Sequence, residues 1–232
     1  MTEAFKVVGT PLERVDAHDK VTGRARYTVD FTAPGMLHAK VLRSGRAHAR
    51  VLRVDAEAAR AMPGVHAVLT GADLADVPMP VYGYFIKDQP IVATDRVRYA
   101  GDIVAAVAAE TEEQAIAALA KIEVEYEDLP DLPTIEAALA DDAPALRPRR
   151  NVCYEYRYQT GDPADFDACD HVFEDEFRFS RMHHLHLEPF VSLCHWKEGD
   201  EIEVISSTQN PFPLRKEIAR IFRVPENRIS VK

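Results

Sequence analysis

The sequence predicts a mixed α/β chain built as two domains. Three observations predict it. The run DIVAAVAAE (102–110) is continuously apolar, as a strand covered on both faces should be. TEEQAIAALAKI (111–122) follows with apolar residues at helical spacing, and EVEYED (123–128) then alternates as a strand does. Between 140 and 150 the composition shifts to ADDAPALRPRRN, with proline and both charge signs. This places a boundary between a domain over 1–145 and a second over 146–232.

The elements follow in order. Residues 1–35 are rich in turn formers and charges and read as an extended lead-in. Stretches 36–42 and 51–54 are strand-like. AEAARAM (56–62) is a short Ala-rich helix that stops at the breaker Pro63-Gly64. VHAVLT (65–70) is a strand and GADLADV (71–77) a helical turn. VPMPVYGYFIKDQP (77–90), with three Pro and one Gly, reads as a long loop. Thr111 and Gln114 have capping-box spacing, in which each side chain satisfies the other's orphan backbone N–H. Ala115, Ile116, Leu119 and Ile122 form one apolar stripe on that helix. Strand, helix and strand over 102–128 make a βαβ-type element, whose two strands need not be adjacent. A short helix is expected over 134–139.

Beyond the boundary, HVFEDEFRFS (171–180), EPFVSLCHW (188–196) and EIEVISST (201–208) read as three strands. The turn Gly199-Asp200 joins the last two as a hairpin. Asn210-Pro211 opens a helix, with Asn210 as N-cap and Pro211 at its first position. Leu214, Ile218, Ile221 and Phe222 share one face of it. VPEN ends the helix and RISVK (228–232) begins a strand.

Composition excludes several function classes. The chain is 47% hydrophobic and 28% charged, with a net charge of -10. That balance argues against bulk electrostatic binding of nucleic acid or anionic membrane. The run RPRR (147–150) reads as a solvated linker rather than a basic patch. The N-terminus lacks the basic-then-apolar pattern of a signal peptide. The longest apolar run, Ile103–Ala109, is far too short to span a bilayer. Cys153, Cys169 and Cys194 are widely spaced, with no CxxC pair. They read as buried, unreactive thiols in a reducing cytoplasm.

Two clusters are candidate sites. In RMHHLHLEP, a strand over 182–188 would put His184, His186 and Glu188 on one face, which could offer ligands to a divalent metal. The alternative is a polar lining whose groups satisfy one another. In VISSTQN (204–210), a strand ends in neutral hydrogen-bonding side chains just before a helix. Turn and cap chemistry explains the cluster on one reading. On the other, Gln209 presents an amide N–H₂ beside a helix N-terminus, where an anionic oxygen is favoured. No GxSxG elbow, P-loop or GxGxxG occurs.

Several segments together resemble one family. KVTGRARYTVD, PGMLHAKVLRSGRAHARV, PGVHAVLTGADL, VRYAGDIVAAVAAETEEQA and IEVEYEDLP are similar, in that order, to the N-terminal domain of the molybdopterin-binding large subunit of the xanthine dehydrogenase/aldehyde oxidase family. GDPADFDACDHVFEDEF, HHLHLEP and ISSTQNPFPLRKEIARIFRVPENRISVK resemble the opening of its molybdenum-cofactor domain. Gly45-Arg46 departs from a proline-containing pair found in many relatives. The resemblance implies a hammerhead-type α/β domain followed by the beginning of an α+β cofactor-binding domain. It implies that Gln209 lies at the molybdenum centre and hydrogen-bonds an oxo ligand. The glycine-rich segment and the glutamate general base of the family fall beyond Lys232, so no catalytic residue is assigned here. The implied cofactor is molybdenum-molybdopterin. The implied partners are the remainder of the subunit, an iron–sulfur subunit, an FAD subunit and a small-molecule substrate. The chain is expected to be a fragment or split piece that does not turn over alone. A non-catalytic assembly module and a His-ligated metal-binding domain are the alternatives, and a final strand without a partner in its own chain is the expected mark of a fragment.

Overall fold

Short helices interrupt runs of strands along the chain. The structure, a computed structural model, describes residues 6–147 and 151–232. In order, the elements are α1 (Ala17–Val21), β1 (His38–Arg43), β2 (Ala49–Asp55), α2 (Glu57–Arg60), β3 (Val65–Thr70), β4 (Val81–Tyr82), β5 (Gln89–Pro90), β6 (Arg96–Val97), β7 (Ile103–Ala109), α3 (Glu112–Leu119), β8 (Glu123–Asp128) and α4 (Ile135–Leu139). β9 (Ser192–Lys197), β10 (Glu201–Ser206), α5 (Pro211–Phe222) and β11 (Ile229–Val231) complete it. The chain divides into two units, one of Gly35–Leu185 and one of His186–Lys232 together with the residues up to Pro34.

In the larger unit the apolar run at 103–109 becomes β7, the middle strand of a sheet ordered β1-β7-β3, antiparallel to both neighbours. Val104, Ala105, Val107 and Ala109 are essentially inaccessible, which explains why the run carries no polar residue. A second antiparallel sheet is ordered β6-β2-β8. One core cluster joins β7 to Ala115, Ala118 and Ile122, with Ala56, Ala59 and Val68. Another joins Ala49, Ala93, Val97 and Val104. Leu42 and Val124 pack against both clusters and make the core continuous.

Helix α3 starts as its sequence predicts. Thr111 N–H donates to Gln114 Oε1 at 3.0 Å, and Gln114 N–H donates to Thr111 Oγ1 at 3.2 Å. Its apolar stripe is corrected by one position. Ile116 is 52% exposed, and Ala118 takes its place in the core. Residue 116 sits about 100° around the helix from Ala115. The face centred on 115, 118, 119 and 122 is the one that meets the sheet, and two alanines let the helix approach closely. Gly64 adopts φ +80, and a Cβ there would stand 2.3 Å from Gln114 Nε2, so the turn after α2 and the α3 cap constrain each other.

Other expectations need correction. Strands β7 and β8 belong to different sheets, so 102–128 is not a βαβ unit. The loop at 77–90 contains a small β4–β5 ladder. The lead-in is not wholly extended, since α1 and a 3₁₀ turn at Thr28–Asp30 interrupt it. HVFEDEFRFS forms no strand. Residues 152–187 are exposed throughout, and no strand edge among the described residues pairs with them. Arg147 is not a solvated linker residue, because it pairs with Asp88 at 2.9 Å; the remaining residues of RPRR lie outside the described residues. No helix among the described residues is long and apolar enough to cross a membrane.

The smaller unit holds the true βαβ element. β10 is antiparallel to β9 and parallel to β11, and α5 makes the crossover between β10 and β11. Ile202, Val204, Val224 and Ile229 form its core, with Ile218, Ala219 and Val231 packed on it. Positive φ at Gly199 and Asp200 lets the hairpin loop turn tightly. The RISVK segment therefore has a partner in its own chain, contrary to expectation; the outer edge of β11 carries no strand among the described residues.

Thr111→Ala removes one half of the capping box and should lower unfolding stability by about 1 kcal/mol, read from the urea midpoint. An unchanged midpoint would show that the cap contributes nothing.

Candidate functional site

The site is built on β10. Both its edges are hydrogen-bonded, so the end at Ser206 is held in place. Ser206 N–H donates to Lys232 O at 3.0 Å, and its hydroxyl lies 2.8 Å from that of Ser192. Ser207 Oγ donates to Pro189 O and accepts from Val191 N–H, each at 3.4 Å. Thr208 Oγ1 accepts the Asn210 N–H at 3.1 Å. Three of the polar side chains in VISSTQN thus serve the turn. Gln209 follows them, exposed, one residue before the helix N-cap.

The start of α5 is unusual. Asn210 occupies the N-cap position, but its side chain makes no capping hydrogen bond. The reason is in the sequence. An N-cap side chain accepts from the second or third helical N–H. Pro213, the third residue, has none, and Pro211, the first, has none either. Phe212 carries the sole N–H among the first three helical positions. Leu214 N–H is already donated to Asn210 O at 3.1 Å. The positive end of the helix dipole therefore presents few backbone donors, and an anionic oxygen there would rely on side-chain amides such as Gln209.

A charge clamp steadies the strand that carries this turn. Lys197 on β9 donates to Glu203 Oε2 at 2.7 Å, and Lys232 donates to Oε1 at 2.6 Å. Hydrogen bonding to Lys197, then to Lys232, holds the Glu203 carboxyl at about 2. The same contact raises the Lys197 ammonium. Sequence reasoning missed this clamp. Its one signal was a Lys diagonal to a Glu across the Gly199-Asp200 hairpin.

The histidine cluster does not assemble as a strand. Leu185 adopts φ +50, which breaks the alternation that would align His184, His186 and Glu188. Glu188 instead accepts the Thr28 N–H at 3.3 Å, and His186 packs edge-on against Phe190 with ring centroids 5.0 Å apart. Among the described residues no three His, Cys, Asp or Glu side chains converge as a metal site would require. The cysteine expectation is also corrected. Cys153, Cys169 and Cys194 are free and exposed: two lie in the uncovered 152–187 stretch, and Cys194 lies on the edge strand β9, opposite the buried Val204. Partial burial among its neighbours pushes the Cys194 thiol up.

Comparison with known proteins agrees with this architecture. Residues 22–130 match the aldehyde oxidase and xanthine dehydrogenase a/b hammerhead domain, and residues 146–232 match the molybdopterin cofactor-binding domain. The chain is 36% identical over 233 residues to the nicotinate dehydrogenase large molybdopterin subunit of Eubacterium barkeri, covering 100% of this chain and 54% of that protein. It is 39% identical over 219 residues to a probable xanthine dehydrogenase subunit of Bacillus subtilis, covering 94% of this chain and 29% of that one. The solved structure of quinoline 2-oxidoreductase from Pseudomonas putida 86 superposes with a TM-score of 0.82 at 31% identity, over 97% of this chain and 30% of that chain. The chain thus spans about half, or less, of the length of these relatives.

The clamp gives a pH prediction. Glu203 is depressed in the folded state, so its contribution is full above the ordinary value of 4.5 and is lost as pH falls through 4.5 toward about 2. A side-chain carboxyl titration by NMR should place Glu203 near 2, and Lys197→Ala should move it up toward 4.5. A native midpoint already at the ordinary value would refute the clamp.

Proposed function

The chain belongs to the aldehyde oxidase and xanthine dehydrogenase family, and from that premise we propose that it forms one wall of the molybdenum-molybdopterin site of a molybdenum hydroxylase large subunit. One observation carries the reading. Ser206, Ser207 and Thr208 are engaged in the turn, whereas Gln209 stands exposed at the N-terminus of α5. This donor set suits the group. A neutral amide can donate to an anionic oxygen without the desolvation cost of burying Lys or Arg.

When bound, the cofactor supplies the two-electron redox chemistry of substrate hydroxylation. Gln209 donates its amide N–H to a cofactor oxygen, and the α5 dipole favours negative charge at the same place. The fixed end of β10 sets the position of that donor before the cofactor arrives, so little is reorganised on binding. The glutamate general base belongs to residues beyond those of this chain, and so does most of the substrate pocket. Turnover then needs the remainder of the subunit, together with iron–sulfur and FAD subunits that carry electrons away.

In the assembled enzyme, Gln209→Ala should lower kcat by about a hundredfold, as loss of one preorganised donor does elsewhere. Molybdenum content and thermal unfolding should stay near wild type, since the side chain is exposed. Wild-type kinetics at full molybdenum content would defeat the assignment.

A further inference from the structure

The β4–β5 hairpin cannot hold its own place on the larger unit. Its ladder is two residues long, and a hairpin of two strands is at best marginal in water without further packing. Apolar burial supplies little of that packing, since Tyr82, Tyr84 and Phe85 are 43%, 67% and 89% exposed. Local contacts close the tip. Lys87 donates to Gly83 O, and a Cβ on Gly83 would stand 1.8 Å from Ile86 O. These contacts fix the shape of the tip but not the position of the hairpin.

Opposite the hairpin runs the chain that follows α4. A cleft of about 380 Å³ is lined by Ile86, Lys87 and Asp88 on one side and by Leu146, Arg147 and Asn151 on the other. The two sides therefore do not close on each other by apolar packing. One side chain spans the gap. Arg147 Nη1 donates to Asp88 O at 3.0 Å and pairs with Asp88 Oδ1 at 2.9 Å. These side chains are 29% and 19% exposed, so salt and water screen the pair less than a surface one. Arg147 is anchored in turn. Arg98 Nε donates to Leu146 O at 3.0 Å, and the Arg98 N–H donates to the buried Asp102 carboxylate at 3.0 Å. Asn151 engages both ends of its amide. Its Oδ1 accepts the Leu146 N–H at 3.0 Å, and its Nδ2 donates to Ala138 O at 2.9 Å and to Pro144 O at 3.1 Å.

We propose that Leu146 and Arg147, pinned by Arg98 and Asn151, form a strap that sets the position of the β4–β5 hairpin. The hairpin lies within the hammerhead match, over 22–130, and Arg147 within the cofactor-binding match, over 146–232. A side chain of the second matched region thus orders a loop of the first, inside the one larger unit. The strap owes nothing to Gln209 or to the cofactor, and it stands or falls apart from the function proposed above.

Hydrogen exchange on this chain tests the strap. The Ile91 N–H, which donates to Pro80 O at 3.0 Å, and the amides of 81–89 report on the hairpin, while those of β7 report on the core. Arg147→Ala should speed hairpin exchange about tenfold and leave β7 unchanged. Asp88→Ala should give a smaller rise, because the backbone acceptor remains, and the double variant should match Arg147→Ala. Asn151→Ala should speed the hairpin and the Leu146 amide together. Equal hairpin exchange in Arg147→Ala and wild type would overturn the strap, and so would hairpin amides without protection in the wild type. A rise of the same size in β7 would overturn it in favour of a general loss of stability. Should Arg147→Ala fail to fold, Asp88→Ala gives the same reading from the hairpin side, and unchanged exchange there overturns the strap equally.

Discussion

The constraint on which the site depends is that β10 is paired on both edges. A strand with one free edge can slip or fray, and a slip of one residue would reverse every side chain on it. Here β9 holds one edge and β11 the other, and Glu203 receives an ammonium from each side. These salt bridges are partly exposed, so they set register more than they add stability. The residue that benefits is Gln209, three beyond the end of the strand.

The turn that follows divides its polar residues by task. Ser206 to Thr208 are tied into the junction by their own hydrogen bonds, and Gln209 beside them is exposed. The Pro-Phe-Pro start of α5 has the same effect by another route. It fixes the helix geometry at once and removes two backbone donors that would compete for a bound oxygen. The backbone of Gln209 lies in a short turn between the strand end and the helix start, a turn held by Ser207 and Thr208.

Legibility in the sequence followed the range of the interaction. The Thr111–Gln114 box was readable because both partners lie within one turn. Strand β8 was readable from local alternation, and β3, β9 and β10 from short strand-like runs. The face of α3 was read one residue off, because which arc meets the sheet depends on where β1 and β7 lie. The assignment of β7 and β8 to separate sheets is a long-range choice that alternation does not encode. His184, His186 and Glu188 looked aligned because nothing in HHLHLE announces a left-handed residue at Leu185. The cysteines were placed inside on composition and spacing, yet all three are exposed. Gln209 was visible as a polar residue at a junction; its separation from the neighbouring turn residues needed the hydrogen bonds.

The junction of β10 and α5 is braced internally, by the ladders to β9 and β11 and by the side chains of Ser207 and Thr208. The central claim, that the braced junction aims Gln209 at the molybdenum cofactor, is tested most directly by a crystal structure of the assembled, cofactor-loaded protein. The account predicts Gln209 Nε2 within about 3.2 Å of a cofactor oxygen, a hydrogen-bond distance. A Gln209 amide turned to solvent, with a different side chain donating at that oxygen, would contradict it.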